Sequence, residues 1–274
     1  MTNPITTEGV AQALRAVWQY RGFIAGSVKR EFQAKYRHSL LGAAWIVLQP
    51  LATIVVYTLI FSQVMQAKVP GVESSTFTYS IYLCSGILTW SLFSEMAARA
   101  QGMFLEHANL IKKLSFPRLC LPTIVVINAL ANFAVIFSLF LLFLLATGTF
   151  PGWIFLAIVP LLLIQIAFAV GLGVTLGILH VFFRDVGQLF SVGLFFWFWL
   201  TPIVYPLAIL PEALQQMIRL NPMTGLIGGY QAVMVEQSAP DWQALWLISA
   251  LAVGLLTIAW RLYRRHAGEM VDEL

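Results

Sequence analysis

The chain has 274 residues, of which 59% are hydrophobic, 14% aromatic and only 10% charged, with a mean hydropathy of +0.83 and a net charge of +4. Soluble domains carry about 25% charged residues, so a water-soluble enzyme and a disordered chain are excluded, and with only Cys84 and Cys120 available so is a disulfide-built secreted module. The composition predicts an all-α integral membrane protein.

The first predicted element precedes the apolar core. At about 100° per residue, Arg15, Gln19, Lys29, Arg30, Gln33 and Arg37 share one narrow face of a helix over 11–37. Leu14, Val17, Trp18, Ala25, Val28, Phe32 and Tyr36 share another, with Arg21 inside the apolar stripe, where it is expected to snorkel or pair with an acid. The pattern predicts an amphipathic interface helix, basic face toward headgroups or a cytoplasmic partner. A short soluble amphipathic tail is the plainer alternative. The first apolar run begins near residue 41 and is too long for a signal-peptide core, so no cleaved leader is expected.

Gaps in formal charge then mark the spans. A helix needs about 20 apolar residues to cross a core of about 30 Å. Thirty uncharged residues separate Arg37 from Lys68, and 21 separate Glu73 from Glu95. Residues 119–183 form a 65-residue stretch without Asp, Glu, Lys or Arg, broken near its middle by Gly148, Pro151 and Gly152. Further gaps cover 186–211 and 242–260. Six transmembrane helices follow, near 41–65, 77–98, 121–146, 153–182, 187–205 and 242–261. Between the last two, 206–241 is too apolar for a solvated loop and too rich in Pro and Gly for a span. Two short re-entrant or interfacial helices are predicted there, near 211–219 and 223–235, making the outer half of span five a candidate pore exit.

Six spans put both termini on one side, and 14 of the 16 Lys and Arg residues fall there, leaving Lys68 and Arg219 opposite. The positive-inside bias makes that side cytoplasmic. The same bias accounts for the net charge without a nucleic-acid partner and favours anionic membrane lipids.

Catalytic patterns are missing. None of the five lysines is followed by Ser or Thr, so the chain has no P-loop of its own, and no metal-protease, Cys-x-x-Cys or nucleophile-elbow motif occurs. His38, His107, His180 and His266 lie scattered toward span ends and read as interfacial residues rather than ligands, so no metal site is expected. The nearest charges to a span centre are Glu95 and Arg99, an i, i+4 pair at the cytoplasmic end of span two, which argues against ion coupling. Uphill transport would need energy from another subunit. Aromatics are abundant instead: Tyr79, Tyr82, Gly86, Trp90 and Phe93 share one face of span two, and Phe195, Phe196, Trp197, Phe198 and Trp199 run consecutively before Tyr205. Singly these are belt or core residues; as a set facing a pore they would offer platforms suited to sugar rings.

The loop between spans two and three reads Asn109-Leu-Ile-Lys-Lys-Leu-Ser-Phe-Pro-Arg-Leu-Cys-Leu-Pro122, a short basic helix with a Phe-Pro-Arg turn that a generic positive loop does not explain. Span one opens with Ser39, Leu41, Gly42, Trp45, Leu48, Gln49, Pro50, Leu51, Tyr57 and Phe61. Phe183-Arg184-Asp185, Thr201-Pro-Ile-Val-Tyr-Pro206 and Leu220-Asn-Pro-Met-Thr224 follow in order. With these motifs in order at matching depths, the chain resembles, over nearly its whole length, the ABC-2 type polysaccharide exporter permeases, the Wzm-type subunits of O-antigen and capsule export and their teichoic-acid relatives.

The resemblance implies a cytoplasmic tail with interface helix over 1–38, an ABC transmembrane type-2 domain over 39–265 and a cytoplasmic tail over 266–274. It implies a homodimer in the bacterial inner membrane, bound to two ABC ATPase subunits that hold the ATP and Mg, with no cofactor in this chain. Leu110, Ile111, Lys112, Lys113, Leu114 and Phe116 would enter an ATPase cleft, with Arg184 and Asp185 at the second contact. Trp90, Trp197, Trp199 and Tyr205 would line the channel. The cargo would be a polyprenyl diphosphate-linked glycan, its diphosphate attracted by cations such as Arg30 or Arg37, on a basic interface-helix face of Arg15, Lys29, Arg30 and Arg37. Export of another polymer, a lipid or a drug is the alternative within the family. An intramembrane enzyme or a scaffold are the alternatives outside it.

Overall fold

In hydrocarbon no water satisfies a free N–H or C=O, so apolar stretches of this length must close their hydrogen bonds internally as helices. The computed structural model describes residues 15, 17–36, 44, 45, 48, 51, 52, 55, 56, 59, 77–113 and 120–274. The element order over those residues is α1 (Arg21–Tyr36), α2 (Thr78–Glu106), α3 (Ala108–Lys113), α4 (Cys120–Thr147), a 3₁₀ turn (Gly152–Ala157) leading into α5 (Ile158–Phe182), and α6 (Asp185–Trp199). A 3₁₀ turn (Leu207–Ile209), α7 (Glu212–Arg219), α8 (Pro222–Gln231), a π turn (Ala232–Glu236), α9 (Trp246–His266) and α10 (Glu269–Glu273) complete it. Among the described residues, four helices are long and apolar enough to cross a membrane: α2, α4, α5 with its 3₁₀ lead, and α9. Most of the expected span one lies outside the described residues.

The expected break in the long apolar stretch is a two-glycine turn. Gly148 and Gly152 have φ of +72° and +65°, the left-handed region that a Cβ disfavours. Thr149 N–H donates to Leu144 O (3.0 Å) and Gly148 N–H to Leu145 O (3.2 Å), closing α4 with a Schellman motif.

Helix α9 lies four to five residues later than expected, at Trp246–His266 rather than 242–261, and two spans depart further from their expected limits. Helix α2 runs past residue 98 to Glu106, because Glu95 and Arg99 find partners inside the protein. Helix α6 stops at Trp199, not near 205. Pro202 has no N–H to continue the ladder and disfavours helical geometry at the residue before it. Thr201 Oγ1 then donates to Trp197 O (2.7 Å) at the helix end.

Helix α5 is the centre of the bundle, packed between α2 and α9. On its α2 side, a Cβ at Gly173 would lie 2.5 Å from Ala100 Cβ, and one at Gly177 would lie 2.8 Å from Ala100 O. A small-xxx-small stripe of this kind lets backbones approach, and dispersion contacts then hold the crossing where lipid supplies no hydrophobic drive. Helix α4 packs on α2, and α1 on α4. Helix α6 touches the bundle along one side, through Trp197 and Phe198. Phe195, Phe196, Trp199 and Leu200 of its other side are 54–63% exposed.

Helix α1 buries a different stripe from the one expected. Ile24 is 4% exposed and packs with Cys120 and Ile124 of α4, supported by Val17, Tyr20, Phe23 and Val28. Trp18 is 69% exposed and Ala25 also faces out. A turn at Tyr20 interrupts the continuous wheel, and the partner surface is a helix rather than a flat membrane, so the buried face is rotated. Arg21 neither pairs with an acid among the described residues nor lies free: its guanidinium sits 5.1 Å above the Trp18 ring.

Candidate functional site

Tertiary contacts sort the functional candidates onto two ends of the bundle. At one end the final turns of α2, α5 and α9 meet. The Gln101 side-chain amide bonds to His180 Nδ1, and the His266 ring lies 5.9 Å from Phe182, edge to face. The link places α3 and the 183–185 corner at this same end. Within α3, Ile111 is 8% exposed and anchored in the main core, Leu110 is half-buried and Lys112 points outward. Leu110 N–H and Ile111 N–H both donate to His107 O (2.9 and 3.0 Å), which re-aims the chain after α2. Leu114 and Phe116 lie outside the described residues, as does the Lys113 side chain. Arg184 and Asp185 are both exposed, with Asp185 in the first turn of α6, where the helix dipole favours an acid.

The charges of this end form a network that links α1, α2 and α4. Arg99 is ion-paired to Glu31 of α1 and lies 3.7 Å from Glu95. Asn128 Nδ2 donates to Glu31 Oε2 (2.8 Å) and Asn132 Nδ2 to Glu95 Oε2 (2.9 Å). The pair at 95 and 99 is visible as an i, i+4 spacing. The partners Glu31, Asn128 and Asn132 carry no signal of it, because they come from other helices. Lys29 and Arg30 lie exposed on α1 and Arg15 lies exposed before it, with Arg30 donating to Ser27 Oγ (2.9 Å); Arg37 lies outside the described residues.

The opposite end is closed by 200–237. Tyr79 OH donates to Val204 O (2.7 Å), and Tyr82 OH to Tyr205 O (3.0 Å), so the tyrosine face of α2 grips the segment after α6. Gln237 Nε2 reaches Thr149 O (3.3 Å), joining this cap to the α4–α5 turn. The two short helices expected between spans five and six are present as α7 and α8. Helix α8 begins with Asn221 as N-cap, its Oδ1 accepting from Met223 N–H (3.0 Å), and Pro222 in the first turn. The same Oδ1 accepts from Trp197 Nε1 (2.8 Å), while Asn221 Nδ2 donates to Thr201 Oγ1 (2.9 Å). One asparagine thus joins the end of α6 to the start of α8, bringing together the two motifs that lie 20 residues apart in sequence.

The four channel candidates separate into two pairs. Trp90, 7% exposed, and Trp197 sit inside the bundle in an aromatic cluster with Phe93, Phe168 and Phe198. Trp197 lies 5.3 Å from Phe93 and 6.1 Å from Trp90, both edge to face. The aromatic face of α2 that carries Trp90 is covered by α6 and the cap. Trp199 is 54% exposed, and the half-buried Tyr205 donates its OH to Trp199 O (3.0 Å). That pair stays accessible beside the open side of α6.

Apolar spanning helices, cations at one end and a folded cap at the other define a multi-pass helical membrane protein. The chain belongs to the ABC-2 type transporter family, whose family model matches residues 24–235. It is therefore a transporter's membrane subunit in a bacterial membrane, not itself a catalyst. It is 33% identical over 263 residues to the O-antigen export system permease protein RfbA of Myxococcus xanthus, covering 95% of this chain and 98% of that one. It is 30% identical to the permease protein of the same name from Klebsiella pneumoniae, over 72% of this chain and 74% of that one. The polysialic acid transport protein KpsM of Escherichia coli is 22% identical over 82% of this chain and 88% of its own length.

Proposed function

We propose that this chain is the channel-forming half of an ATP-driven exporter that carries an O-antigen-type glycan, linked to a polyprenyl diphosphate, across the inner membrane. The observation that carries the reading is the end-to-end similarity to the Myxococcus xanthus O-antigen export permease. Two copies pair around the path, each bound to an ABC ATPase subunit that holds ATP and Mg. The α3 end is cytoplasmic, in keeping with its concentration of Lys and Arg, and both termini lie on that side.

In this reading Leu110, Lys112 and Lys113, with Leu114 and Phe116 beyond them, dock on the ATPase while Ile111 is the root. Movement of the docked segment passes through Ile111 into α2. Arg184 and Asp185 make the second contact at the start of α6. Helix α6 presents Phe195, Phe196 and Trp199 to the path, with Tyr205 above them. Apolar rings with few polar handles suit the apolar C–H faces of sugars without binding any one residue tightly. Arg30 and Arg37 attract the diphosphate at the cytoplasmic mouth.

The test is co-purification and glycan export with a co-expressed ABC ATPase subunit from the same organism. Wild type is expected to retain the ATPase and export glycan when ATP is hydrolysed. Lys112→Glu combined with Lys113→Glu is expected to lose the ATPase while the permease still folds. A permease that never retains an ATPase under mild detergent would remove the energy source and overturn the reading.

A further inference from the structure

Helix α1 and the first half of α4 enclose a groove of about 690 Å³, within the size range of built ligand sites. Its walls include Ala25 and Val28 of α1 and Ile127 of α4, and Trp18, Arg21 and Lys29 lie along its rim. Ile127 is seven residues into a spanning helix, so at 1.5 Å per residue the groove reaches about 10 Å below the helix start. A water-soluble partner cannot follow it to that depth; an acyl chain can. The rim supplies the other half of a phospholipid's chemistry. Arg99, nearby in the same helix assembly, is committed to two carboxylates, whereas among the described residues neither Arg21 nor Lys29 has an acidic partner. Trp18, 69% exposed with Arg21 held above its ring, sits where an interfacial anchor would.

We propose that this groove is a binding site for one anionic phospholipid, its acyl chain along Ala25, Val28 and Ile127 and its phosphate between Arg21 and Lys29. The lipid extends the seam between α1 and α4, so its occupancy sets how firmly the interface helix is held to the bundle. Assigning the lipid to the cytoplasmic leaflet rests on the orientation proposed above; the groove itself does not.

The experiment is native mass spectrometry of the permease–ATPase complex released from nanodiscs of phosphatidylglycerol or phosphatidylcholine. Wild type is expected to retain phosphatidylglycerol under activation that strips phosphatidylcholine. Arg21→Gln with Lys29→Gln is expected to lower that retention about thirty-fold, the product of the usual attraction of two cations to an anionic membrane surface. Ala25→Trp fills the groove from an exposed position and is expected to lower it similarly with both cations intact. Arg264→Gln with Arg265→Gln, exposed cations at the end of α9, is expected to leave it unchanged. Equal retention of the two lipids, retention unaffected by the charge pair, or preferential retention of undecaprenyl phosphate would each overturn the proposal. If Ala25→Trp fails to assemble, the charge pair decides alone. Labelling of an N-terminal cysteine by a membrane-impermeant reagent reads the orientation separately, so either reading can fail without the other.

Discussion

Asn221 does three jobs with one side chain: it caps α8, accepts from the Trp197 indole and donates to Thr201. Trp197→Phe keeps a six-membered ring among Trp90, Phe93 and Phe168 but removes the N–H together with the rest of the indole's second ring. The loss of a hydrogen bond of about 1 kcal/mol is therefore expected to add to a cavity cost, read as a lower unfolding midpoint in detergent. Asn221→Ala is expected to cost more, because the indole N–H and the Met223 N–H both lose their acceptor. In the double variant the losses should fall short of additive, the sign of a shared bond. Arg99 is the matching residue at the other end. Arg99→Met leaves Glu31 and Glu95 without their cation, so the amides of α1 are expected to exchange with deuterium faster while those of α5 hold. Unchanged exchange in α1 would mean that its apolar contact through Ile24 suffices.

At the scale of elements, the α2–α5 crossing sets the bundle and the small residues set the crossing. Gly173→Val or Gly177→Val would drive a branched side chain into atoms of Ala97, Ala100 or Gln101 that even a Cβ would meet closer than ordinary contact. Each is expected to abolish a monodisperse peak in size-exclusion chromatography. Gly193→Ala and Gly254→Ala, which meet open space, are expected to elute as wild type. The C-terminal α10 is an element rather than a loose tail. Met270 is fully buried against the end of α5, beside the corner that carries Arg184 and Asp185. Truncation after His266 is expected to lower the unfolding midpoint and to weaken ATPase retention, because the corner loses its support.

For the whole molecule, the two ends are joined by long helices, and α6 runs between them with Phe195, Phe196 and Trp199 of one side exposed. Transport should therefore respond to the open side of α6 while assembly responds to its packed side. Trp199→Ala is expected to reduce glycan export several-fold with dimer and ATPase retained. Trp90→Ala is expected to lower the yield of folded protein, because it empties a site in the aromatic cluster. A glycan-export assay beside a pull-down separates the two outcomes. If Trp199→Ala leaves export intact, the open side of α6 does not face the path.

Class, the α4–α5 turn, the two short helices after span five and the family were legible in the residues themselves. Each rests on information local in the chain: runs of apolar side chains, Gly and Pro where the backbone must turn, and short motifs of neighbouring residues. Partnership was not legible. A helical wheel shows that α1 has an apolar stripe, yet Ile24 became its buried centre because Cys120 and Ile124 of α4 lie opposite. The resemblance likewise groups Trp90 and Trp197 with Trp199 and Tyr205, and only the packing of α6 on α2 separates a buried pair from an accessible one. Glu31, Asn128 and Asn132 look like isolated polar residues until three helices bring them around Arg99. Local sequence determines which segments are helices and how they end, since those hydrogen bonds close within a few residues. Which face of each helix is filled, and by what, depends on groups far away in the chain, and only the tertiary structure decides it.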